Sequence, residues 1–210
     1  MKITISLGDI FLFIMIIAIT LYAIWLPPSD EPTWLASSID YIEQGQALWL
    51  AFVALFILYR CWRERLDAGD RRFWYWATLW WITLLGRSIS WGRVYFPHGP
   101  RILFHSIAAL LIAALLLSLL SSQLRRAIAA RYRLHPIPVW RLVAVVLAFA
   151  GADAVEHQRA LAHPLLSSAS PYRDLIEELY ECPFLIGLFL ITLHMLNHER
   201  YLRRQRASKA

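Results

Sequence analysis

The run Ile102–Leu120, ILFHSIAALLIAALLLSLL, contains no Asp, Glu, Lys or Arg. Wound as an α-helix at about 1.5 Å per residue, it is long enough to cross most of the roughly 30 Å hydrocarbon core of a bilayer. There every backbone N–H and C=O must be satisfied internally, so helix is the form it takes. Comparable blocks lie on both sides of it. The first is Ile10–Leu26, closed by Pro27-Pro28, and the second lies between Glu43 and Arg60. Another begins at Phe73, one follows Pro136 and Pro138 from Val139, and the last runs from Cys182 to Asn197. The pattern predicts an all-α polytopic membrane helix bundle, one transmembrane domain over 1–210. Its six transmembrane helices are expected at about 10–27, 44–61, 73–93, 102–121, 139–157 and 179–198.

Composition agrees with the blocks. Of the 210 residues, 59% are hydrophobic and 17% charged, with a mean hydropathy of +0.48. Soluble domains carry about 45–50% apolar and about 25% charged residues. A soluble enzyme, a disulfide-stapled secreted domain and a disordered chain are therefore excluded. No internal repeat or low-complexity tract is present. Cys61 and Cys182 have no metal-ligand spacing between them.

The net charge of +6 sits in short runs between apolar blocks, the pattern of loops facing anionic lipid rather than nucleic acid. Of the 21 Lys and Arg, only Arg87, Arg93, Arg101, Arg159 and Arg173 fall on one side of the six-helix scheme. The positive-inside rule then places both termini in the cytoplasm, with an uncleaved first span. The expected location is the bacterial inner membrane. The expected partners are membrane lipids and a protein partner or second copy, with no nucleic acid. Trp62, Trp74, Trp76 and Trp140 fall near the inner boundary, and Trp25, Trp34, Trp91 and Tyr95 near the outer one. There they serve as belt or packing residues.

Several charge-free stretches are too short for a span, which needs roughly 20 residues. If these helices cross fully, their outer ends carry ionisable groups to membrane depth. Such a group is costly there, about 2.5–3.5 kcal/mol on the lenient scale, and faces a partner or a water-filled cavity. Arg87 and Arg93 lie at the same expected level as Glu43, Asp153, Glu156, Glu178 and Glu181. The reading is a mutually paired polar cluster, with Arg87 bonded to at least one of those carboxylates. Asp153, Glu156 and His157 share a helix face at i, i+3 and i+4. Asp174, Glu178 and Glu181 share another, with Glu177 beside them.

Four chemistries suggest themselves. Asp153, Glu156, His157 and His163, with His98 or His105, offer oxygen and nitrogen ligands, but in no metal-binding spacing. No metal and no cofactor is therefore expected. His194 and His198 at i, i+4 suit zinc, a spacing shared with ceramidase-like membrane hydrolases. Their expected depth is the cytoplasmic end of the last helix, a membrane thickness from Asp153, so two helix-end histidines are the simpler reading. Ser88 and Ser90 lack a G-x-S-x-G turn, and Ser90 is expected to bond to backbone or a neighbouring helix. Transport would use charges at mid-membrane or helices broken at Gly151 and Pro183, both of which lie near outer ends.

Gly86-Arg87-Ser88-Ile89-Ser90-Trp91-Gly92-Arg93 resembles a motif of uncharacterised bacterial multi-pass inner-membrane proteins, Glu-Glu-Ile-Ser-Trp-Gly-Gln at the outer end of a helix. Glu43 and Glu177-Glu178-Leu179-Tyr180-Glu181 resemble further acidic positions of that group. Arg87-Ser88 stands where the acidic pair would be, so the charge pairing is inverted here. The resemblance implies a bacterial inner-membrane location and gives weight to Ile89–Gly92.

The resulting expectation is an integral inner-membrane protein with an outer-leaflet polar cluster. The cluster comprises Glu43, Arg87, Ser90, Trp91, Arg93, Asp153, Glu156, His157, Glu177, Glu178 and Glu181. Its expected role is non-catalytic: structural, sensory or partner-binding. The alternatives are a small-solute transporter and an enzyme acting on lipid or lipid-linked substrate at the periplasmic leaflet. In the enzyme, Asp153, Glu156 and His157 would supply acid–base chemistry while Arg87 and Arg93 hold an anionic headgroup.

Overall fold

The computed structural model describes residues 5–26, 32–64, 66–134, 138–157 and 171–207. All regular structure among them is helical: α1 (Leu7–Trp25), α2 (Leu35–Arg63), α3 (Ala68–Ser88), α4 (Arg101–Ser118), α5 (Ser122–Leu134), α6 (Val139–Glu156) and α7 (Arg173–Ala207). A short 3-10 turn, Ser90–Gly92, follows α3. Among the described residues, four helices are long and apolar enough to cross a membrane: α1, α2, α4 and α7 as far as Leu202. Large apolar side chains cover their outer faces, Ile14, Leu21, Leu55, Leu110 and Leu116 among them. This is what lipid rather than water accommodates. α3 owes much of its bulk to Trp and Tyr, and α6 carries Arg141, Asp153 and Glu156 within 18 residues.

The chain forms two compact units, Met1–Glu43 with Ile137–Ala210, and Gln44–Pro136. In the first, α1, α6 and α7 pack on one another. Small residues let α6 and α7 approach. Ala144, Ala148 and Ala152 form a buried stripe at i, i+4 and i+8, and the Tyr180 ring lies against Gly151. Gly187 faces Val145 and Leu12 with no room for a further carbon. Close backbone approach at small residues is how helices gain packing energy in lipid. Ile19, Ala23, Ala152, Val155, Ile176 and Tyr180 complete this core. Tyr180 Oη and Thr20 Oγ1 hydrogen-bond at 2.7 Å.

Gly151 and Pro183 do not break their helices. α6 runs through Gly151, and α7 through Pro183. An interior proline removes one backbone bond and strains the preceding turn. Here Pro183 is buried, and packing holds α7 on both sides of it, through Tyr180 before and Gly187 after.

α1 begins with a capping box, in which Ser6 Oγ accepts from the Asp9 N–H and Asp9 Oδ2 accepts from the Ser6 N–H. Arg141 of α6 joins it. Its Nε donates to Asp9 Oδ1 at 2.8 Å and its Nη2 to Ser6 Oγ at 2.8 Å. Its Nη1 donates to the Leu190 carbonyl of α7 at 3.0 Å. One guanidinium thus ties all three helices together.

In the second unit α3 packs on α4 and α5. Trp74, Thr78 and Trp81, at i, i+4 and i+7, are buried along α3, and Trp76 Nε1 donates to the Leu115 carbonyl of α4. Trp74 is therefore a core residue, while Trp25 and Trp62 are exposed as a membrane belt requires. α5 is an addition to the six-helix scheme, at 13 residues too short to span. Its exposed face carries Arg125, Arg126, Tyr132 and Arg133. Its buried face sets the Arg131 guanidinium 3.9 Å over the Phe73 ring and 2.8 Å from Asp70 Oδ1.

Candidate functional site

The residues of the expected polar cluster fall in both units. Arg87, Ser90, Trp91 and Arg93 belong to the second. Glu43, Asp153, Glu156, His157, Glu177, Glu178 and Glu181 belong to the first.

The α3–α4 turn of the second unit is built around one indole. α3 ends at Ser88, and the Ile89 N–H closes it onto Leu85 and Arg87 carbonyls. Ser90, Trp91 and Gly92 then take positive φ values of 48°, 61° and 100°. Only glycine adopts such values freely, and for a bulky residue they are strained. The surroundings offset that strain. The Trp91 ring lies over Gly86, so close that a Cβ there would stand 2.7 Å from it. Gly92, Arg93, Tyr95 and Phe96 donate backbone hydrogen bonds back into the turn. Gly86 is thus the residue that lets α3 receive the indole, and Gly92 the one that lets the chain turn away.

Around this turn opens a cavity of about 230 Å³, lined by Arg87, Ser90, Trp91, Arg93, Arg101, Phe104 and His105. Phe104 is buried and floors it, while Arg87, Arg93, Arg101 and His105 are exposed at its walls. Arg101 is an addition to the residues expected from sequence, and His105, considered there as a metal ligand, lines this cavity with the arginines. No Asp or Glu occurs between Asp70 and Asp153. Within its own unit, then, Arg87 has no carboxylate at its end of α3.

The first unit gathers the acids at the C-terminal end of α6 and the start of α7. His157 Nδ1 lies 3.5 Å from Asp153 Oδ1 and 3.6 Å from Glu156 Oε2, so the three share the face that their spacing predicts. Glu177 stands in the electrostatic field of Glu156, Glu181 and Asp174, opposed by Arg173. Glu43 feels Asp40 and Asp174. Glu178 and Glu181 each have an interaction partner. Among the described residues no three His, Cys, Asp or Glu side chains assemble as a metal site. Of the remaining candidate ligands, His98 is exposed in the second unit and His163 lies outside the described residues. The His194 and His198 rings stack, nearly parallel, with centroids 6.4 Å apart. Cys61 and Cys182 form no disulfide, and the Cys182 thiol donates to the Glu178 carbonyl at 3.5 Å.

Among the described residues, two ion pairs between different helices escape sequence reasoning, Asp9–Arg141 and Asp70–Arg131. A signal for the first does exist. Asp9 is a single acid opening one apolar run, and Arg141 a single cation three residues into another.

Comparison of the chain with protein-family models, with characterised proteins and with solved structures finds no match.

Proposed function

We propose that the chain is a bacterial inner-membrane protein with six spans and both termini in the cytoplasm, acting as a non-catalytic binding component through the α3–α4 cavity. The Lys and Arg bias supports the orientation. α6 is about 27 Å long, close to the hydrocarbon thickness, and α3 is longer. The cavity carries the functional reading. Its strained, well-packed turn holds Trp91 in place, and strain of this kind persists where a site is pre-organised. Its charged walls are chiefly guanidiniums, which stay protonated and so bind rather than exchange protons. The Glu-Glu-Ile-Ser-Trp-Gly-Gln resemblance centres on the same turn.

Native mass spectrometry of the detergent-purified chain tests this. A discrete bound mass is expected on the wild type and lost from Arg93→Gln/Arg101→Gln. A chain that carries nothing, and that a photoreactive side chain at His105 cross-links to nothing in cells, leaves only a structural role. A C-terminal reporter that is active in the periplasm would overturn the six-span reading.

A second reading rests on Asp153, Glu156 and His157, which lie within reach of one another at one helix end. In it the protein hydrolyses a lipid-linked substrate, and His157→Gln abolishes turnover while leaving the bound mass of the cavity unchanged.

A further inference from the structure

We infer that the α3–α4 cavity takes a phosphate-bearing anion, the phosphoryl group seated among Arg87, Arg93 and Arg101. This rests on the proposed binding role of that cavity and names its ligand class.

The charge arrangement is unfavourable without an anion. Arg87 alone has an ordinary explanation, because a cation in the last turn of α3 complements the helix dipole. Arg101 has the opposite setting. It is the first residue of α4, where the dipole is positive and a cation is disfavoured. Pro100 precedes it and supplies no side-chain cap; the Leu103 N–H bonds to the Pro100 carbonyl, and the Arg101 and Ile102 N–H groups ahead of it have no partner within an α-helix. Arg93 adds a third guanidinium and His105 a ring nitrogen, all on one cavity. The sequence holds no carboxylate from Asp70 to Asp153, and Asp70 is already bonded to Arg131. The carboxylates of this unit, Glu64, Asp67 and Asp70, stand at the opposite end of α3, so among its described residues like charges converge at the cavity with no acid at that end.

The geometry selects the anion. Three guanidinium forks and a helix N-terminus present more donors than the two oxygens of a carboxylate can accept, whereas a phosphate group carries four oxygens, terminal or ester. At about 230 Å³ the cavity has room for several times the roughly 30 Å³ of one liquid water, enough for a phosphate and its ester substituent. Trp91 and Phe104 supply an apolar wall for that substituent. Val94, Tyr95, Phe96, Ile102 and Leu103 are exposed beside it. The same phosphoryl chemistry is available from a lipid headgroup and from free phosphate.

Thermal unfolding of the purified full chain in non-ionic detergent separates these sources at constant ionic strength. One arm titrates inorganic phosphate against chloride. The other adds phosphatidylglycerol against phosphatidylcholine to the micelles. A saturable rise in Tm of about 5 °C or more at a hundredfold excess over Kd is expected in at least one arm. A rise with phosphate identifies a free phosphoryl ligand, and a rise with phosphatidylglycerol alone identifies a headgroup. Arg93→Gln/Arg101→Gln should remove the rise, and Arg125→Gln/Arg126→Gln on the exposed face of α5 should keep it. The inference is overturned by no rise in either arm, by a rise that survives the cavity variant, or by its equal loss from the α5 control. If Tm stays flat while native mass spectrometry shows a phosphorus-free ligand that depends on Arg93 and Arg101, the phosphate assignment falls and the binding role stands. If both measurements are blank, both fall.

Discussion

Arg141 Nε lies 2.8 Å from Asp9 Oδ1, with both side chains almost wholly buried, and this pair joins the start of α1 to the start of α6. Two further donors of the guanidinium go to Ser6 and to the Leu190 carbonyl, so the charge is bonded on several sides. Losing one partner leaves the other charged and desolvated, at a cost of about 3–5 kcal/mol. Asp9→Asn and Arg141→Leu should each lower the unfolding temperature and folded yield in detergent far more than Arg125→Gln. The double variant Asp9→Leu/Arg141→Met should recover much of the loss, because well-packed apolar groups replace buried ion pairs with little penalty. Single variants as stable as the wild type would show that the pair does not hold the unit together.

The two glycines Gly187 and Gly45 should respond oppositely to alanine. A Cβ at Gly187 runs into Val145 and Leu12, and overpacking of this kind costs about 1–3 kcal/mol. A Cβ at Gly45, inside α2, meets nothing within 4 Å among the described residues. There alanine gains helix propensity, up to about 1 kcal/mol. Thermal unfolding of both variants checks the contrast, and an equal effect would count against the close approach of α6 and α7.

Gly86→Ala tests the seat of Trp91. The added carbon would stand 2.7 Å from the ring, which must move as a whole. The strained turn should then relax and the cavity lose its wall. We expect destabilisation of about 1–3 kcal/mol together with loss of the bound mass. Gly86→Ala/Trp91→Leu should regain stability and still lack the ligand, which separates the packing role of the indole from its place in the site.

Arg131 should not tolerate lysine. Its planar guanidinium both stacks on Phe73 and bonds to Asp70, and an ammonium on a flexible stem does not reproduce that pairing. Arg131→Lys is expected to speed amide hydrogen exchange across Ser122–Leu134 while leaving α4 unchanged. Exchange in α5 that matches the wild type would mean that the stacking is not what anchors it.

Much of the architecture is legible in the residues themselves. Charge-free apolar runs dictate helices wherever water is absent, since no other backbone form bonds all its own polar groups in one segment. The shared face of Asp153, Glu156 and His157 follows from the 3.6-residue period alone, and the structure brings those three together. Element ends were less legible. α2 starts at Leu35 and α7 at Arg173, ahead of their apolar runs, because a helix continues into polar sequence as long as its backbone bonds persist. α5 reads as a basic loop until Arg131 is found turned onto Phe73.

The sequence by itself determined that the chain is helical with apolar runs long enough to cross a membrane, where most of its helices lie, and that the Gly86–Arg93 segment is unusual. Tertiary structure alone decided which charges meet. Asp9 and Arg141 are 132 positions apart and Asp70 and Arg131 are 61 apart, and no local periodicity relates residues on different helices. It also decided that Arg101, and His105, which the sequence offers as a metal ligand, line one cavity with Arg87 and Arg93. The physical reason is the same in each case. Helical period sets the face on which a side chain stands, whereas its partner is set by how close neighbouring helices approach and at what rotation, and in the first unit that depends on small residues such as Gly151 and Gly187.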